Sequence, residues 1–134
     1  MMTTILFVAL VKSTIVGLLG MIVCGYFTKP RRPRVLLIDD LRNIEATRVA
    51  RTYNEGIEAL KDGPWDLLLL DHDLGCYDSV GREKTGYDII CFLEENLQYL
   101  PERIELVTMN PVGRLKMNAA IVNLYGSHNR RMNK

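Results

Sequence analysis

Three short apolar runs, each followed by polar chemistry, set the pattern of this chain. Leu67–Leu70 is four consecutive leucines between a Gly63-Pro64 turn signal and Gly75, which predicts a strand buried on both faces. Asp71, His72 and Asp73 follow where such a strand leaves its sheet. Val35–Ile38 is a second run of the same kind and ends in Asp39 and Asp40. A third, at residues 104–109, runs into Asn110-Pro111, and asparagine before a proline in the first helical turn predicts a helix over 112–124 that Gly126 ends.

The segments between these runs complete the outline. Residues 47–53 alternate as a half-exposed strand does. Parallel neighbours usually need a crossover of about a dozen residues, so this strand is expected to run antiparallel to the first or to lie outside the main sheet. A helix over 44–53 also fits the helix formers Ala46, Arg48 and Ala50. Asn54 can cap a helix over 55–61 that turns Ile57 and Leu60 inward. Residues 76–85 are polar and contain Gly81, which predicts a mobile loop beside the acidic edge. An amphipathic helix over 86–97 would bury Ile89, Ile90, Leu93 and Leu97.

The N-terminal part has a different character. Residues 3–27 are apolar apart from Thr3, Thr4 and a patch at Lys12, Ser13 and Thr14. Spanning a bilayer takes about 20 apolar residues, and a mid-bilayer lysine costs roughly 3 kcal/mol, which the surrounding Ile, Leu and Val can offset. Lys29, Arg31, Arg32 and Arg34 follow, so the stretch reads as a single-pass anchor through residues 4–27 of an inner membrane, with the rest of the chain held in the cytoplasm. A translation start at Met21 would instead leave a soluble cytoplasmic protein. The organisation expected is an apolar segment at 1–28, a basic linker at 29–34, a domain at 35–126 and a basic tail at 127–134.

Composition sharpens this outline. The 134 residues have room for one small domain, and a net charge of +1 hides a strong asymmetry. No acid precedes Asp39 or follows Glu105; between Arg34 and Glu105 there are 8 Lys or Arg against 16 Asp or Glu, and after Glu105 there are 5 basic residues. An acidic middle facing a basic end suits a cation and a phosphate held together. Cys24, Cys76 and Cys91 form no short ligand pair, which speaks against a zinc site and a disulfide framework. Neither a P-loop nor a dinucleotide glycine fingerprint occurs.

Carboxylates at the tips of neighbouring strands repel one another unless a cation neutralises them, and oxygen donors suit Mg²⁺ better than zinc. Asp39, Asp40 and Asp71 are therefore the candidate metal ligands, with helix or turn capping as the structural alternative. His72 can act as general acid or base, or be structural, and Asp73 can orient it as an outer partner. Strand alternation puts Asp73 on the side of Asp71 and His72 on the other unless the backbone bends. The stretch 108–114 offers a helix start to an anion, with Thr108, Asn110 and Arg114 as donors and Arg42 as a second clamp. Arg114 could equally lie in solvent.

An acid pair after the first strand, an aspartate after the next long one and a hydroxyl residue after the following one make the chain resemble the receiver domain of response regulators. There the pair binds Mg²⁺, the lone aspartate accepts a phosphoryl group, and a hydroxyl residue and a lysine contact it. Asp39 and Asp40 match the pair, Asp71 the acceptor and Thr108 the hydroxyl. No first helix fits between Asp40 and Thr47, and no fifth strand with its lysine follows. With VLLIDDLRN, VARTYNEGIEAL, WDLLLLDHDLG and TMNPVGR, the chain is similar to the divergent group called cyclic-phosphate processing receiver domains, over residues 35–125.

That resemblance implies a truncated flavodoxin/receiver-like three-layer α/β fold with a short, mostly parallel sheet; the N-terminal apolar helix expected before it is not part of the resemblance. It also implies Mg²⁺ and a phosphate-ester or cyclic-phosphate ligand such as a nucleotide or an RNA end. The expected chemistry is metal-dependent cyclic phosphodiester hydrolysis with Asp71 and His72 as catalytic residues. The alternatives are a phospho-accepting signalling module with Asp71 as acceptor, and a non-catalytic binding domain. No particular protein partner is indicated.

Overall fold

The computed structural model describes residues 30–134. The apolar segment, with the helix and membrane anchor expected there, lies outside the described residues. Among the described residues, no helix is long and apolar enough to cross a membrane.

In chain order the elements are β1 (Val35–Ile38), β2 (Arg48–Ala50), α1 (Tyr53–Lys61), β3 (Leu67–Leu70), β4 (Asp73–Tyr77), β5 (Glu83–Thr85), α2 (Gly86–Glu95), a 3₁₀ turn at Leu97–Tyr99, β6 (Arg103–Leu106) and α3 (Pro111–Met132). The first three apolar-run strands and β2 form one sheet in the order β2-β1-β3-β6, and every pairing in it is parallel. This is the order of the first four strands of a flavodoxin-like sheet, whose ligands bind beyond the strand ends at the β1/β3 switch point. Val35 to Ile38 pair in register with Leu67 to Leu70, so the residues that follow the two strands emerge side by side.

The core explains why the short strands hold. Leu36, Ile38, Leu68 and Leu70 pack with Ile57 and Leu60 of α1, Ile89, Ile90 and Leu93 of α2, and Met117 and Leu124 of α3, all of them buried. Burying one such side chain contributes about 1.5–3 kcal/mol. Trp65 closes the lower end of this core and donates its indole N–H to the Ala59 carbonyl at 2.8 Å.

Five expectations need correction. The strand at residues 48–50 is parallel to β1 and belongs to the main sheet, although no helix lies between them. Extended chain covers about 3.3 Å per residue, enough for the loop at 39–47 to return to the start of the sheet without one. Arg51 does the work a helix would do for the loop's polar groups: its guanidinium donates to the carbonyls of Asp39 at 3.0 Å and Arg42 at 2.6 Å, and to Asn43 Oδ1 at 2.6 Å. The helix considered over 44–53 is absent for the same reason, because those residues are the loop and β2. Helix α1 starts earlier than expected, capped by Thr52 rather than Asn54, with the Thr52 hydroxyl accepting from the Glu55 N–H.

Residues 76–85 are not a free loop. β4 and β5 pair antiparallel, with a register shift between Asp73 and Cys76, and Asp78 closes the turn by accepting from the N–H groups of Val80 and Arg82. Finally, α3 runs through Gly126 to Met132. A single helical glycine costs only about 1 kcal/mol relative to alanine, too little to stop a helix already docked on the sheet.

Candidate metal and phosphate site

Three aspartates meet at the switch point. One carboxylate oxygen of each of Asp39, Asp40 and Asp71 lies within 4.8 Å of the other two. Asp39 is fully buried and Asp71 nearly so. Carboxylates this close repel by about 3 kcal/mol per pair at an effective dielectric near 20, so the cluster needs positive charge.

Part of that charge is Arg42. Its Nη1 donates to Asp39 Oδ2 at 2.8 Å and lies 3.3 Å from Asp71 Oδ2. Asp39 Oδ1 meanwhile accepts from the N–H groups of Leu41 at 2.9 Å and Arg42 at 2.6 Å. Burial pushes the Asp39 carboxyl up, but these donors together outweigh it and hold the group below the usual carboxylate range. The hydrogen bond to Asp39 in turn raises Arg42 above its ordinary value. Arg42 thus sits as an acid partner, with its head turned to the carboxylates rather than free as an anion clamp.

Asp71 Oδ1 is buried and has no hydrogen-bond partner among the described residues. An orphaned buried oxygen beside two further carboxylates, with one arginine against three negative charges, fits a hard divalent cation such as Mg²⁺. Asp39, Asp40 and Asp71 are the residues that could hold it. They line a cleft of about 310 Å³ with Leu41, Arg42, Asp73 and Met109.

The other expected residues gather at the mouth of α3. The chain bends at His72, and its Nδ1 lies 2.7 Å from Asp73 Oδ1, so neighbouring side chains meet instead of alternating. Asn110 caps α3 by accepting from the Gly113 N–H at 2.9 Å, while its Nδ2 lies 3.4 Å from each Asp73 oxygen. Asp73 joins the two groups, because it also lines the acidic cleft. Thr108 is buried, and its hydroxyl accepts from the Asn110 N–H at 3.1 Å. Arg114 donates to the Thr108 carbonyl, which braces the turn and leaves the rest of its exposed guanidinium outward.

Two glycines were not singled out from sequence and shape the site. A Cβ on Gly86 would stand 1.9 Å from the Asp71 carbonyl oxygen, and the Gly86 N–H donates to the His72 carbonyl at 2.8 Å. Helix α2 therefore presses directly on the tip of β3. A Cβ on Gly113 would stand 2.4 Å from His72 Cδ2, so the imidazole lies flat against the first turn of α3. The available signal was glycine in a first helical turn, where it is a poor helix former and so points to close approach. Arg51 had no such signal, since its partners, in the loop after β1, are brought near only by the pairing of β1 with β2.

A parallel sheet in flavodoxin-like order, with carboxylates massed at its switch point and a capped helix beside them, defines a receiver-like α/β protein. The profile of the cyclic-phosphate processing receiver domain matches residues 34–123, and the chain belongs to that family. No curated protein and no solved structure matches the chain.

Proposed function

We propose that this domain opens cyclic phosphates in a reaction that depends on Mg²⁺. The observation that carries the reading is the orphaned Asp71 oxygen within an acidic cluster, beside a helix mouth that holds a histidine. Bound Mg²⁺, held by Asp39, Asp40 and Asp71, would polarise the phosphoryl group and lower the barrier to attack.

The chain's own residues supply the rest. A carboxylate only accepts, so the contact with Asp73 leaves the His72 hydrogen on Nδ1 and frees Nε2 to exchange a proton. His72 Nε2 takes a proton from the attacking water as its oxygen bonds to phosphorus. One phosphorus–oxygen ester bond of the ring breaks, and the released sugar oxygen takes up a proton from solvent while His72 returns its own to solvent, leaving a phosphate monoester. The remaining N–H groups of Arg114 and the amide of Asn110 would orient phosphate oxygens, with Thr108 holding the turn that carries them. Arg42 joins them once its head is free.

The test is turnover of 2′,3′-cyclic nucleotides by the full chain with Mg²⁺. Ring opening that is lost in His72→Ala and Asp71→Asn supports the reading, and turnover no faster than that of His72→Ala overturns it. The free Asp71 oxygen also favours a second reading, in which it accepts a phosphoryl group in signalling. Labelling by acetyl phosphate that survives His72→Ala but not Asp71→Asn would select that one. The apolar stretch at residues 3–27, followed by cations, supports a membrane tether for either activity. Retention in the membrane pellet after alkaline carbonate extraction tests it.

A further inference from the structure

Arg42 occupies the place where a divalent cation would do its work. A single nitrogen, Nη1, reaches Asp39 Oδ2 and approaches Asp71 Oδ2, and so bridges two of the three carboxylates. The root of the residue is fixed: its N–H donates to Asp39 Oδ1, and its carbonyl accepts from Arg51. The head is not locked in, because the side chain is 31% exposed and lines the open cleft. A fixed root, a partly exposed side chain and a charged head make a hinged cation that can leave the cluster while the loop stays anchored.

We propose that Arg42 is a built-in counter-ion that a divalent cation must displace, and that its displaced head then serves the phosphate. A guanidinium and a divalent ion repel each other and draw on the same Asp39 and Asp71 carboxylates, so the two alternate. In the cation-free domain Arg42 holds the strand tips together. When the cation enters, the guanidinium swings along the cleft, where it meets the phosphate brought by the substrate. Arg42 is thus a positioning residue that couples cation binding to anion capture. This inference rests on the metal reading above.

The coupling has a distinctive sign. Occupation of the cluster by Arg42 reduces apparent cation affinity by the fraction of time the cluster is free. In the full chain, Arg42→Gln should bind Mg²⁺ about tenfold or more tightly by calorimetry if Arg42 holds the cluster about nine-tenths of the time. The same variant should melt at a lower temperature than the unaltered chain when Mg²⁺ is absent. An arginine that is only structural would lower the melting temperature and leave Mg²⁺ affinity unchanged or weakened, and that result overturns the proposal. Failure of both proteins to bind Mg²⁺ would overturn the metal reading as well, whereas equal binding by both removes only this inference. The unaltered chain gives an independent readout by NMR: the Arg42 side-chain N–H signals should shift and exchange faster with solvent as Mg²⁺ is added. Signals that stay put at saturating Mg²⁺ overturn the proposal.

Discussion

The acidic tips of β1 and β3 and the mouth of α3 lie next to each other yet differ in how completely their polar groups are satisfied. At α3 the polar atoms are largely spoken for. Asn110 caps the helix, Asp73 receives His72, and Arg114 braces the turn through the Thr108 carbonyl. At the strand tips, one arginine bridges two of three clustered carboxylates, and a buried Asp71 oxygen has no hydrogen-bond partner among the described residues. Buried oxygens without partners cost about 1–3 kcal/mol, so their presence marks the tips as the place where a ligand completes the structure. The mouth of α3 is finished in advance and positions groups around whatever binds.

The sharpest way to break this contrast is to strike the contact that both regions share. Gly86→Val forces a side chain into the Asp71 carbonyl and should destabilise the domain by about 3 kcal/mol or more, read by urea denaturation. A smaller loss would show that α2 can back away from β3 and that the close contact is not needed.

Gly113→Ala separates the two regions. It displaces the His72 ring and should cost about 1–2 kcal/mol, reduce ring-opening activity, and leave Mg²⁺ affinity unaltered by calorimetry. Asn110→Ala removes the cap of α3 and should lower stability by about 1 kcal/mol in denaturant titration, again without weakening the metal. A large change in Mg²⁺ affinity in either variant would mean that the two regions are one site.

The least effect is expected in the pH profile. Asp39 is held below the ordinary carboxyl value of 3.8, so its contribution to stability is full above that value and lost as pH falls through its lower folded one. Acid titration followed by circular dichroism should show this loss, and Asp39→Asn should flatten it.

The same contrast explains what could be read from the chain alone. Leucine runs ending in acids announce buried parallel strands, because both signals are local. Asn110-Pro111 announces the start of α3 for the same reason. The parallel placement of β2 was hidden, since it is accompanied by Arg51 reaching to three acceptors in the loop that follows the neighbouring β1. Pairing of β4 with β5 was hidden too. A polar stretch with glycines looks like a loop until Gly75, at a φ of 57°, lets the strand bulge beside Asp40. Helix α3 outran Gly126 because docking of Met117, Ala120 and Leu124 on the core outweighs one weak position. At the site, the aspartates were legible as strand ends. The inward turn of Arg42 was not, because it follows from burial of Asp39 and Asp71, a tertiary property.

Calorimetric titration of Mg²⁺ into the full chain and into Asp71→Asn tests the shared cation most directly. Mg²⁺ should bind the unaltered chain at one site, and loss of a single ligand charge should weaken it by at least about 100-fold, since each pairing with a buried charge is worth roughly 3 kcal/mol. Equal binding by a folded Asp71→Asn, or none by the unaltered chain, would contradict the cation site.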